Sequence, residues 1–147
     1  YYPVLGGAVR GDAARELLAR RWDEFVVPGL GIHCVDTNPW VTGAETCELV
    51  MALDAIDDAR ALELFAWMQH LREDDGRYWT GYVIPDDVFW PHEHTTYTAA
   101  AVVLAADELS RTSAASGIMR GENLVADFDE IGLECGCESA DRLARVP

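Results

Sequence analysis

Carboxylates and aromatic rings crowd two short stretches of the chain. The first holds Asp36, Trp40, Thr42 and Glu45, and the second holds Trp90, His92, Glu93, His94 and Tyr97. Trp79 and Tyr82 lie between them. Each stretch runs into a segment with helical patterning, and the start of a helix offers unpaired N–H groups and partial positive charge. Rings beside carboxylates suit two kinds of ligand. A hydrocarbon chain can lie on the rings, with a carbocation stabilised over them. A sugar can stack on tryptophan and be hydrolysed between two carboxylates. Glu45 and Glu93 are the candidate catalytic acids. The remaining residues named are the candidate substrate contacts. Glu45 has a second explanation, because Thr42-Gly43-Ala44-Glu45 also fits a capping box.

Other chemistry finds less support. In an extended loop His92 and His94 would fall on one side, but spacing assigns no third metal ligand. Cys135 and Cys137 form a lone C-x-C, and Cys34 and Cys47 are isolated. No metal site is therefore expected. The 26 acidic residues outnumber 11 basic ones, all arginine, for a formal charge of −15. Such a chain lacks the basic face that nucleic acid or an anionic membrane would require. Without lysine, Schiff-base chemistry and a Walker-type phosphate loop are excluded. No apolar run is long enough to span a membrane, and no signal peptide stands at the start, so a cytoplasmic location is expected. The start, Tyr1-Tyr2-Pro3-Val4-Leu5, reads as the middle of a longer polypeptide.

Four helical segments must position these residues. Leu17, Leu18, Trp22 and Phe25 recur at helical spacing between Asp12 and Phe25. A loop over 29–41 follows. The second helix, from Thr42 to about Ile56, is apolar around most of its circumference, as in a helix buried on most sides. The third, Ala59 to about Leu71, puts Leu62, Phe65, Ala66 and Gln69 on one face. A β-prone stretch over 78–84 precedes a fourth helix from Thr95 or Thr96 to Leu109, again apolar nearly all round. The second and fourth helices look like copies: Thr42 matches Thr95, and Asp54 matches Asp107. A period of about 50 residues with one hairpin per period is a helical-repeat signature.

The stretch Trp67-Met68-Gln69-His70-Leu71-Arg72-Glu73-Asp74-Asp75-Gly76-Arg77-Tyr78-Trp79 resembles the Gln…Asp-Gly…Trp repeat of α/α-toroid proteins, the terpenoid cyclases and protein prenyltransferases. Pro39-Trp40-Val41-Thr42-Gly43-Ala44-Glu45-Thr46 and Thr95-Thr96-Tyr97-Thr98-Ala99-Ala100-Ala101 are similar to actinobacterial prenyltransferase-like proteins. The resemblance implies an isoprenoid or other hydrophobic small-molecule substrate, with Mg²⁺ if that substrate is a diphosphate. It also implies further N-terminal hairpins as partners of this part. The motif match is incomplete: Asp54-Ala55-Ile56-Asp57-Asp58 has the wrong spacing for the acid of a class II cyclase and reads as a capping turn.

The expected fold is all-α, a partial α/α toroid of inner and outer helices with an extended loop near 78–84. Residues 1–111 would carry the hairpins and 112–147 an acidic, partly disordered tail. The expected function is prenyltransferase-like, with a six-hairpin glycosidase-like domain and a non-catalytic binding scaffold as alternatives.

Overall fold

The computed structural model describes residues 1–122. Of the tail expected over 112–147, residues 112–122 are described, and Cys135 and Cys137 lie outside the described residues. Among the described residues there are six α-helices: α1 (Tyr2–Leu5), α2 (Gly11–Ala19), α3 (Trp22–Phe25), α4 (Gly43–Asp54), α5 (Arg60–Trp67) and α6 (Thr96–Ser110). Five short strands join them: β1 (Val26–Val27), β2 (Gly31–His33), β3 (Trp40–Thr42), β4 (Gly81–Val83) and β5 (Val88–Phe89). The strands form one antiparallel sheet in the order β1-β2-β3-β4-β5.

This sheet corrects the expected all-α toroid. The loop over 29–41 contains β2 and begins β3, and only part of the 78–84 stretch becomes β4. Strands of two or three residues are too short to display the alternation that marks a strand in sequence. Trp40–Thr42 pairs with Gly81–Val83 across the whole of α4 and α5, a contact local patterning does not reveal.

The core centres on α4, whose residues from Leu49 to Asp54 are all buried. An apolar circumference leads to this position because every side has a neighbour: α6, α5, α1 and β2 all contact it. The α4 and α6 helices run side by side in the same direction. Gly43 meets Thr98 near their N-terminal ends, and Asp54 pairs with Arg111 at their C-terminal ends. The matched residues at these ends do different work. The Thr95 hydroxyl accepts from Thr98 N–H, whereas Thr42 makes no side-chain cap. Asp107 accepts from Ser113, while Asp54 pairs with Arg111 and Arg120.

The buried face of α5 differs from the expected one. Ala61 and Leu64 face the core, while Leu62 is 64% exposed. The following 3₁₀ turn, Met68–Leu71, extends that face with Met68 and Leu71. Gln69 closes this segment by donating to the Phe65 carbonyl and accepting from the Tyr78 hydroxyl. The first expected helix is also interrupted at Arg20 and Arg21, giving α2 and α3. Among the described residues, no helix is long and apolar enough to cross a membrane.

Candidate active site

Glu45 lies in the first turn of α4, directly after β3. The capping box that also explained it does not form: Thr42 makes no side-chain cap, and its buried hydroxyl has no partner among the described residues. The Glu45 carboxylate instead accepts a hydrogen bond from the Cys34 thiol at 3.6 Å. It lines a cavity of about 550 Å³ between α1, α2, α3, β2 and α4. Leu18, Trp22, Phe25 and Leu49 give that cavity apolar walls, and His33 and Cys34 join Glu45 on its polar side. Glu45 is the sole carboxylate among the described lining residues.

The setting shapes the chemistry of the polar groups. Burial pushes the Cys34 thiol up, and the Glu45 charge adds to that shift. Cys34 is therefore a neutral donor near pH 7 rather than a nucleophilic thiolate. Both His33 ring nitrogens are buried and have no partner among the described residues. At the rim Arg21 pairs with Asp36 at 2.8 Å and with Glu24, and its guanidinium lies 4.7 Å from the Phe25 ring centre. Asp36 is thus anchored to a residue of the cavity lining, although it does not itself line the cavity.

One turn beyond Glu45, Glu48 occupies the same side of the helix. Three phenol hydroxyls donate to it, from Tyr1 at 2.8 Å, Tyr2 at 3.0 Å and Tyr97 at 2.6 Å. Tyr1 and Tyr2 line the Glu45 cavity, and Tyr97 comes from the first turn of α6.

The other expected site residues assemble around the sheet and the loop after it. Trp40 donates to the Trp90 carbonyl at 2.8 Å, and the two rings meet edge to face. Trp79 stacks on Phe89 with ring centres 5.3 Å apart, and His94 covers it at 4.1 Å. The His92 ring also contacts Trp79, at 4.9 Å. Both histidines therefore meet one indole. Among the described residues, no group of three or more metal-binding side chains forms there or elsewhere. Tyr82 donates to Asp87 at 2.7 Å and packs on His70 and Phe89. Glu93 is exposed, and its backbone carbonyl accepts from Thr80. None of Glu93, Trp79, Tyr82, Trp90, His92 or His94 lines the Glu45 cavity. A separate open depression of about 450 Å³ runs beside Trp79, Phe89 and the acidic residues Glu73, Asp74 and Asp75.

Tyr1, Tyr2, Trp22, Phe25, His33, Cys34 and Glu48 are site residues that sequence reasoning passed over. Only Glu48 left a signal, its three-residue spacing from Glu45. The cavity is closed by segments from the beginning of the chain, and nothing local marks that contact.

No protein-family model matches the chain. It is 62% identical over 143 residues to the MMP endo-(1,4)-3-O-methyl-alpha-D-mannosidase of Mycolicibacterium hassiacum. The match covers 97% of this chain and 40% of that protein. The similarity overturns the prenyltransferase and terpenoid-cyclase relationship expected from the Gln…Asp-Gly…Trp motif, because the relative is a glycosidase. That short motif instead accompanies a turn: Gly76 N–H donates to the Glu73 carbonyl, and Trp79 N–H donates to the Leu71 carbonyl. The carbohydrate-active alternative fits the similarity better than the isoprenoid reading does.

Proposed function

We propose that this chain belongs to a glycoside hydrolase that cleaves α-(1,4) bonds between O-methylated mannose units. The observation that carries the proposal is Glu45, a carboxylate placed in an apolar-walled cavity and free of the capping role that would otherwise occupy it. Sequence identity of 62% to an endo-acting methylmannosidase supports the reaction class. The walls support the choice of sugar. An ordinary mannoside presents hydroxyls, and an apolar wall leaves buried hydroxyls unpaired at a cost. A methyl ether presents a group that Leu18, Trp22 and Phe25 can cover.

Glu45 is the general acid or base of this reaction. As acid, it gives its proton to the departing glycosidic oxygen as the bond to the anomeric carbon breaks; water bonds to that carbon in its place, and the proton it releases returns Glu45 to its acid form. Thr42 sits at the N-terminal end of α4 beneath that carboxylate, and Asp36 acts through Arg21, which lines the cavity. The Trp40–Trp90 pair and the Trp79, Tyr82, His92 and His94 cluster supply aromatic contacts for sugar units of a long chain beyond the cleaved bond. Tyr97 contributes through Glu48, and Glu93 is an exposed acid at the edge of that cluster.

The test is hydrolysis of matched α-(1,4)-mannose oligosaccharides with and without 3-O-methyl groups, followed by new reducing ends and product length. Internal cleavage of the methylated series is expected, with kcat/KM about 10-fold or more above the unmethylated series. Equal rates would remove the role given to the apolar walls. No cleavage of either series would remove the proposed function.

A further inference from the structure

We infer that Glu48 is a positioning residue, whose carboxylate fixes the tyrosine wall of the Glu45 cavity and ties that wall to α6. The role in turnover rests on the hydrolase reading above, but the geometry stands apart from it. Tyr1 and Tyr2 donate to the same oxygen of Glu48, and Tyr97 donates to the other. Three segments that are remote in sequence thus meet on one carboxylate. The Tyr1 and Tyr2 rings pack at 4.5 Å, so fixing their hydroxyls fixes a two-ring surface facing Glu45.

No arginine pairs with Glu48 among the described residues, and the chain contains no lysine. Among the described residues, its carboxylate oxygens are held by phenol O–H groups alone. Charge-assisted hydrogen bonds of this kind are about twice as strong as neutral ones and strongly directional. Burial is the main cause that raises the Tyr1 hydroxyl, with its Glu48 bond acting the same way, so it remains a donor throughout the neutral range. The Glu48 bond itself is the main cause raising the Tyr97 hydroxyl. The arrangement is therefore fixed near pH 7. A wall so held sets where a sugar ring rests relative to Glu45, one helical turn away.

Two measurements on the full protein separate positioning from catalysis. The first is the alkylation rate of Cys34 by iodoacetamide, which reports access to the cavity and needs no turnover. The double variant Tyr1→Phe/Tyr2→Phe keeps both rings and every charge but loses the two anchors on Glu48. Its Cys34 should react several-fold faster than in the wild type, and an unchanged rate would overturn the inference. The second is the kinetics of Glu48→Gln on methylated α-(1,4)-mannose oligosaccharides. A KM increase of about 10-fold that accounts for most of the loss in kcat/KM is expected. A loss confined to kcat, equal to that of Glu45→Gln, would make Glu48 catalytic and overturn the positioning role. If the wild type hydrolyses none of these sugars, the hydrolase reading fails and the Cys34 measurement still decides the wall.

Discussion

A carboxylate beside a thiol makes each group a reporter of the other. Glu45 accepts from Cys34, and the shift on the thiol follows from burial first and the Glu45 charge second. Glu45→Gln removes the charge and leaves the burial. The Cys34 pKa should then fall part of the way toward its ordinary value, so more thiolate is present at a fixed pH near 8. Peptide mapping after brief alkylation should show Cys34 labelled faster in the variant. Cys47 serves as the internal control, since burial pushes its thiol up to about 12 and it stays unlabelled. Equal Cys34 rates in wild type and variant would mean that the Glu45 charge does not act on this thiol. At this scale the sequence was partly legible. Glu45 and Tyr97 stand out as an acid and a ring at helix starts, whereas His33 and Cys34 look like isolated residues until β2 carries them to the cavity.

Elements decide how closely α4 and the sheet approach. Gly31 in β2 has φ of 136°, and a Cβ there would lie 2.6 Å from the Thr46 hydroxyl oxygen. That hydroxyl accepts from Ile32 N–H at 3.0 Å and donates to the Thr42 carbonyl at 2.6 Å. The strand is thus pinned to the helix where only glycine fits. Gly31→Ala should cost about 2 kcal/mol of stability, by backbone strain and overpacking together. Chemical denaturation checks this, and a variant as stable as the wild type would show that β2 does not sit so tightly on α4. The helices were the legible elements. Runs as long as α4 and α6 carry enough apolar positions to declare burial on several sides. The strands were not, because their cause lies in partners elsewhere in the chain. Val41 is opposite Tyr82, and Tyr82 is opposite Phe89, so one face of the sheet is built from three segments. The face of α5 was misjudged for a related reason: Leu62 and Leu64 are equally apolar, and the position of α4 selects Leu64.

Across the whole molecule, the C-terminal ends of α4 and α6 are joined by a buried charge network. Arg120 pairs with Asp54 and Glu108, each at 2.7 Å, and Arg111 adds a second partner for Asp54. Arg120→Met would leave Glu108 without its arginine in a buried site, so a loss of about 3 kcal/mol is expected. The two carboxyls respond to acid in opposite directions. Burial resists the ionisation of Asp54, but its bonds to Arg111 and Arg120 prevail and hold its carboxyl below the ordinary range. Burial holds Glu108 above that range despite the Met119 N–H and Arg120. Asp54 therefore contributes stability above its unfolded pKa of about 4, and that contribution is lost as pH falls through its folded value. Glu108 favours folding at low pH and loses that contribution as pH rises through its own raised value. Thermal melts from pH 7 down to pH 2 should show Asp54→Asn losing less stability in acid than the wild type. Parallel acid curves would contradict the pairing. The long-range closure at Glu48 and Arg120 is the part that no local pattern announces.

Under the proposed function, Glu45 acts on a sugar held in the cavity that it lines. Turnover and binding measured together on Glu45→Gln test it most directly. The amide keeps the size of the side chain but can neither donate an acidic proton nor accept one as a base. With α-(1,4)-linked 3-O-methylmannose oligosaccharide, kcat should fall about 10² to 10⁴-fold while the dissociation constant from calorimetry stays within a few-fold of the wild type. Undiminished turnover in that variant would contradict the account.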